Sequence, residues 1–295
     1  MDMMEPVIFK KETVTKGTWY ARLKEIMIEA GWQNISSKPS VDYDVMYSEG
    51  ESGDVPMYIQ LIDHLGDLAS MSTSIQRVLN TRLPGVYTPG KPGEPGTFKR
   101  STAAEPWRHI LVLVGKQDPN SIFNIYYHCN KNRVILINEF PPGEEYYEIG
   151  PSYGTIINMG ISDRNIGENK LSAPIIAATQ VNGIIGVRTS GHPSFEYGAS
   201  TTVNMLIDLP PSNPNPANVF FMSEIAYGGS TVDSIRGYID GIYAIKDGQN
   251  VPLELGDEVI DQNNIKYRII KVNPPATSSY GGAFTQTSLY AYRVE

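Results

Sequence analysis

The chain reads as mainly β. The expected architecture is antiparallel, built from β-sandwich or small-barrel elements, with one N-terminal amphipathic helix packed on a sheet and long Pro/Gly-rich loops. Short runs rich in β-branched and aromatic residues recur along nearly its whole length, among them "HILVLVG", "IFNIYYHC" and "IKYRIIKV". Turn formers such as "GKQDPN", "NKN", "KDGQN" and "QNN" punctuate those runs. Helical crossovers between the runs are missing, which argues against a parallel α/β sheet and for sandwiches or small barrels.

From the N-terminus, "TWYARLKEIMIEAG" is the clearest helix. Trp19, Leu23, Ile26, Met27 and Ala30 recur at the three-and-four spacing of a single apolar face. Thr18 is placed as N-cap and Gly31 to end the helix in the left-handed conformation, after which Trp32 begins an extended segment. "YDVMYS" and "PMYIQLI" follow as strands, and "LASMSTSIQRVLNTRL", 68–83, is read as a second helix. Further strands are expected in "RVILINEF", "TVNMLIDL", "NVFFMSEI", "GYIDGIYAI", "DEVIDQ" and "SLYAYRV".

Three stretches read as connections. Residues 83–106 are too rich in Pro and Gly for regular structure, and a loop of that length in a compact domain is usually functional or disordered. "LPPSNPNPAN", 209–218, looks like a semi-rigid polyproline-type spacer, and 273–288 like an exposed loop. The expected organisation is therefore 1–82, a helix plus strands; 83–106, an extended arm; 107–208, a central β region; 209–218, a linker; and 219–295, a small barrel-like region. The alternative is one composite domain.

With 295 residues the chain is long enough for one large core or two ordinary ones. Apolar content of 41% against 19% charged is that of a folded protein rather than a disordered one. Net charge is −8 without a long basic run, which disfavours sequence-independent nucleic-acid binding. One cysteine rules out an intrachain disulfide and any multi-thiolate zinc site. "MDMMEPVIFKKETVTKG" carries acids where a signal peptide would be basic, and no apolar stretch is long enough to span a bilayer, so neither a classical leader nor membrane insertion is expected.

The chemistry-bearing residues are few. In "IFNIYYHCNKNRVILINEF", 122–140, His128 stands beside Cys129 at the end of one strand run, and the asparagines of "NKN" suit a tight hairpin connection. Adjacent strand residues point to opposite faces, so the two cannot share a metal or a proton, and a Cys–His dyad would need His64, His109 or His192 to arrive from elsewhere. "DHLGD" gathers Asp63, His64 and Asp67, but without further ligands at metal spacing it reads as a solvated loop. "YGGSTVDSIRG", 227–237, has glycines fit to cradle an anion at a helix start, yet lacks the Lys and spacing of a phosphate loop. Glu144 and Glu145 are adjacent carboxylates beside a turn and read as solvated. No catalytic, cofactor or metal residue is assigned, and the chain is not expected to be an enzyme.

Three segments carry a resemblance. The opening "WYARLKEIMIEAGWQNISSKPSVDYDVMYSEGESGDVPMYIQL" resembles that of structural proteins from tailed-bacteriophage particles. "YYHCNKNRVILINEF" is similar to an aromatic strand, polar turn, Arg and β-branched strand of that class. "GIYAI…LGDEVI…KYRIIKV…SLYAYRVE" is similar to the small β-barrel close of such virion proteins. The resemblance implies a virion subunit at the neck, a tail-terminator or tail-completion ring in head–tail joining, with a baseplate or tail-tip subunit as the close rival. A receptor- or carbohydrate-binding β-sandwich is the other alternative. It further implies assembly in the host cytoplasm, with copies of itself and other neck or tail proteins as partners and DNA at most passing through a lumen. Ring contacts of this kind are heterologous and use edge strands and arms. Within the loops 83–106 and 273–288, Tyr87, Phe98, Tyr280 and Phe284 are the expected intersubunit contacts.

Overall fold

A computed structural model describes residues 7–35, 44–53, 57–64, 77–82, 108–113, 120–139, 154–160, 175–179, 185–189, 222–228, 235–245, 253–261, 263–272 and 288–294. These form antiparallel sheets and, among the described residues, one helix. The loops at 83–106 and 209–218 lie outside them, as do Tyr87, Phe98, Tyr280 and Phe284.

A six-stranded sheet occupies the middle. Its order is β1 (Lys10–Thr15), β7 (Ile122–Cys129), β8 (Arg133–Glu139), β9 (Gly154–Gly160), β10 (Ile175–Thr179) and β11 (Ile185–Thr189). Because β1 pairs with β7, from Lys10 opposite Tyr127 to Thr15 opposite Ile122, the N-terminal segment and the central region share this sheet. A second sheet, from the N-terminal part, runs β2 (Gln33–Asn34), β3 (Asp44–Ser48), β4 (Met57–His64), β5 (Arg77–Arg82) and β6 (Arg108–Leu113). A third, C-terminal sheet has the order β12 (Met222–Gly228), β13 (Ile235–Ile245), β16 (Ser288–Tyr292), β15 (Lys266–Val272) and β14 (Glu258–Ile260). A parallel bridge from Phe9 to Val294 ties the start of β1 to the end of β16.

Helix α1 (Trp19–Glu29) buries Trp19, Leu23, Ile26 and Met27 of the expected face together with Tyr20, while Ala30 at its end is only partly buried. They share one core with Phe123, Ile125 and Tyr127 of β7, Val134 and Leu136 of β8, Ile157 and Met159 of β9, and Met46, Ile59 and Leu61 of the N-terminal sheet. Gly31 ends the helix at φ +95°, and the bonds from Gly31 N to Ile28 O and from Trp32 N to Met27 O complete a Schellman turn. Trp32 thereby folds back into the same core. Thr18 stands at the N-cap, but its hydroxyl does not cap the helix; it bonds Thr15 instead. A missing cap costs about 1 kcal/mol. Burying a single Leu or Ile is worth about 1.5–3 kcal/mol, so packing holds this helix without one.

The expected hairpin 122–140 is present, with β7 and β8 joined through Asn130–Asn132. Asn130 Oδ1 accepts from the amides of Asn132 and Arg133, which closes the turn. Two other expectations fail. The helix read over 68–83 is contradicted over Arg77–Arg82, where β5 pairs with both β4 and β6, neighbours on both sides overriding local helical spacing; its remaining residues lie outside the described ones. Asp63 and His64 are strand rather than loop, because β5 continues the ladder opposite them through Leu79 and Val78. Asp67 lies outside the described residues.

Gly160 pairs with Arg133 at φ +114°, where an added Cβ would stand 2.2 Å from Asn132 O and 2.7 Å from Arg133 Cα. Gly160→Ala therefore forces both a disfavoured backbone conformation and a backbone collision. The expected result is a loss of roughly 2–4 kcal/mol, read as a lower denaturant midpoint with an unchanged slope.

Candidate functional site

Alternation along β7 and β8 divides the hairpin's side chains between two packed faces. Phe123, Ile125, Tyr127 and Cys129 face α1, with Val134 and Leu136, while Trp19 Nε1 donates to Asn138 Oδ1 at 2.9 Å. The opposite face meets the C-terminal sheet. There Tyr126 stacks edge-on with Tyr292 at 5.2 Å, and Phe9 packs against Tyr292 at 5.5 Å and His128 at 6.4 Å. His128 and Cys129 are thus on opposite faces, as strand alternation requires. Burial pushes the Cys129 thiol up to about 12, reinforced by Glu29, so at neutral pH it is a packed thiol rather than a nucleophile.

The remaining candidates do not converge. His109 sits in β6 opposite Asn80, while His192, Glu144 and Glu145 lie outside the described residues. Tyr227 and Gly228 close β12 opposite Gly237 and Ile235 of β13, so both described ends of 227–237 are paired strand rather than a helix start. Among the described residues no group of three His, Cys, Asp or Glu side chains is placed to hold a metal ion, and no helix is long and apolar enough to cross a membrane.

What the sequence did not reveal is a set of charged clusters at the seams between elements. On α1, Arg22 forks onto both oxygens of Glu12 at 2.7 and 2.8 Å and also reaches Glu29 and Glu25. Tyr127 donates to Glu12 at 2.6 Å. The Arg22 hydrogen bond holds Glu12 below its ordinary range, and burial, helped by Glu12, pushes the Tyr127 phenol up to about 12. Between α1 and the N-terminal sheet, Asp44 is buried and accepts from Tyr20, Lys24 and Asn34 at 2.8–2.9 Å. Burial opposes its charge, but those three donors outweigh burial and leave its carboxyl below the ordinary range.

Two further pairs join the central and C-terminal sheets. Arg133 and Asp240 are each only 3% exposed and form an ion pair through Arg133 Nη1. Asp240 reaches it from an irregularity in β13: Glu224 lies opposite Tyr243 while the next residue, Ile225, lies opposite Ile239. At the other end of β8, Glu139 accepts two bonds from Arg268 at 2.8 and 3.0 Å, and Arg268 also donates to Gly256 O and lies over the Tyr126 ring. Burial, followed by Glu139, pushes Tyr126 up to about 12 and drives Tyr292 upward too. The signal for these residues was present in the sequence as charges interrupting otherwise apolar strands, "RVILINE" and "YIDGIY". Their partners stand 107 and 129 positions away. No protein-family model matches the chain, and no curated protein matches it.

Two measurements follow. The native Cys129 thiol is expected to resist a disulfide reagent at about pH 8, where an exposed thiol reacts readily, and to titrate as one thiol per chain once denatured. Asp44 and Glu12 have lowered pKa values, so their stabilisation is complete above the unfolded carboxylate range, about 4. It is lost as pH falls through their folded values. Asp44→Asn is expected to cost about 1–3 kcal/mol near neutrality and to flatten the fall in melting temperature between about pH 5 and pH 2.

Proposed function

We propose that the chain is a structural subunit of a tailed-bacteriophage particle, assembled into a ring at the neck as a tail-terminator or tail-completion subunit. One observation carries this reading. The segments that resemble virion proteins are far apart in sequence, yet they pack around one hairpin. The opening supplies α1, β3 and β4, which enclose one face of β7–β8. The ending supplies β13–β16, which meets the other through Tyr292 and Arg268. The resemblance therefore falls on a single packed unit rather than on unrelated strands.

The charged groups support the same reading. Arg22, Lys24, Arg133 and Arg268 hold elements together through carboxylates, a use of charge suited to architecture. In finer detail, the central and C-terminal sheets lie face to face as in a β-sandwich, and β13–β16 with its own core of Val259, Tyr267, Ile269, Leu289 and Ala291 is the small-barrel element. In the described chain β6 and β11 end their sheets, and edge strands of that kind can be extended by a neighbouring subunit around a closed ring.

Localisation in purified particles tests the proposal. Cryo-EM or immunogold labelling is expected to place the protein at the neck. Signal confined to the baseplate would reassign its position, and absence from purified particles would overturn the reading.

A further inference from the structure

The face that β8 turns toward the C-terminal sheet consists of Arg133, Ile135, Ile137 and Glu139. Between the two charged ends lie two isoleucines, both fully buried. Within β8 itself the apolar part of this face is two identical side chains, so a slide of two residues, or a half-turn in the plane, gives this strand nearly the same contact; Tyr126 of β7 and the bridge from Phe9 to Val294 add further contacts across the seam. The charges break that degeneracy. Arg133 meets Asp240 of β13 at one end, and Glu139 meets Arg268 of β15 at the other, roughly 20 Å away at strand spacing.

We infer that β8 is a charge-coded key that fixes one orientation of the C-terminal sheet on the central sheet. In the observed orientation both ends pair opposite charges. A half-turn would set Arg133 toward Arg268 and Glu139 toward Asp240, joining like charges at both ends. A slide would leave Arg133, 3% exposed, buried without its carboxylate. Either error strands charge in a poorly solvated seam, which is heavily penalised, whereas the correct pairs gain little over apolar residues of the same shape. The two pairs therefore act against wrong arrangements more than they stabilise the right one. The nearby aromatic contacts of Tyr126, Tyr292 and Phe9 add attraction across the same seam.

The test is made in the full-length protein. Arg133→Met, Asp240→Leu, Glu139→Leu and Arg268→Met are combined, and melting temperature is measured with backbone amide NMR of β13, β15 and β16. The key predicts a melting temperature at or above the parent's together with more than one set of amide signals from the C-terminal sheet. A single set of signals would overturn it, because the apolar contacts would then suffice to define the orientation. If the fourfold variant does not fold, the more exposed pair decides through hydrogen exchange. Glu139→Arg is expected to speed exchange of β15 and β16 amides by about 100-fold. Adding Arg268→Glu is expected to restore protection to within about tenfold of the parent. Unchanged exchange in the single variant, or no restoration in the double, would overturn the inference.

Discussion

Because both faces of β8 are covered by protein, each residue from Arg133 to Asn138 must find its partners inside the molecule. That requirement organises the rest of the described structure. One face demands a second layer, which α1 and Met46, Ile59 and Leu61 provide. The other demands another, provided by Tyr292 and Arg268 of the C-terminal sheet. The turn that reverses the chain before β8 is held by the N-terminal segment: Trp32 Nε1 donates to Asn130 O, Ser48 Oγ donates to Lys131 O, and Glu51 accepts from Lys131 N. A hairpin fixed so firmly is a scaffold around which distant parts of the chain can be brought to register.

The pKa shifts of the described groups share a pattern. A general acid or base works best when its pKa is brought toward the operating pH. Here the movement is the other way. Cys129 and the phenols of Tyr126, Tyr127 and Tyr267 are pushed up to about 12, chiefly by burial, while Glu12 and Asp44 are held low by the donors around them. Each group is confined more strongly to the protonation state it already has near neutrality.

Local signals were the legible ones. The helix face, its Gly31 terminus and the hairpin with its asparagine turn are decided within a few residues, and each appears where periodicity and turn chemistry put it. Over Arg77–Arg82 the expected second helix failed because that stretch takes its conformation from β4 and β6, neighbours that a short window does not contain. Thr18 occupies the cap position, yet its hydroxyl is committed to Thr15, a competition that propensity leaves out. The candidate site was less legible still. An Arg opening an apolar strand and an Asp within another are visible as exceptions, but nothing local says that they answer each other.

The same separation explains why apolar periodicity alone underdetermines a molecule built from antiparallel sheets. Along β8 both faces are apolar, so the alternation that normally tells inside from outside gives no such information. Shape must distinguish the faces instead: Trp19 and Trp32 fill one side, while tyrosine rings packed edge to face fill the other. The C-terminal sheet faces the same difficulty, since Tyr290 and Tyr292 alternate with Leu289 and Ala291 and all four are buried. In β16, Leu289 and Ala291 join Val259 and Ile269 in a separate core, so this sheet too is packed on both sides. Polar groups at the seams then become the means by which one layer recognises another. This makes Arg133, Asp240, Glu139 and Arg268 more consequential for the fold than their small number suggests.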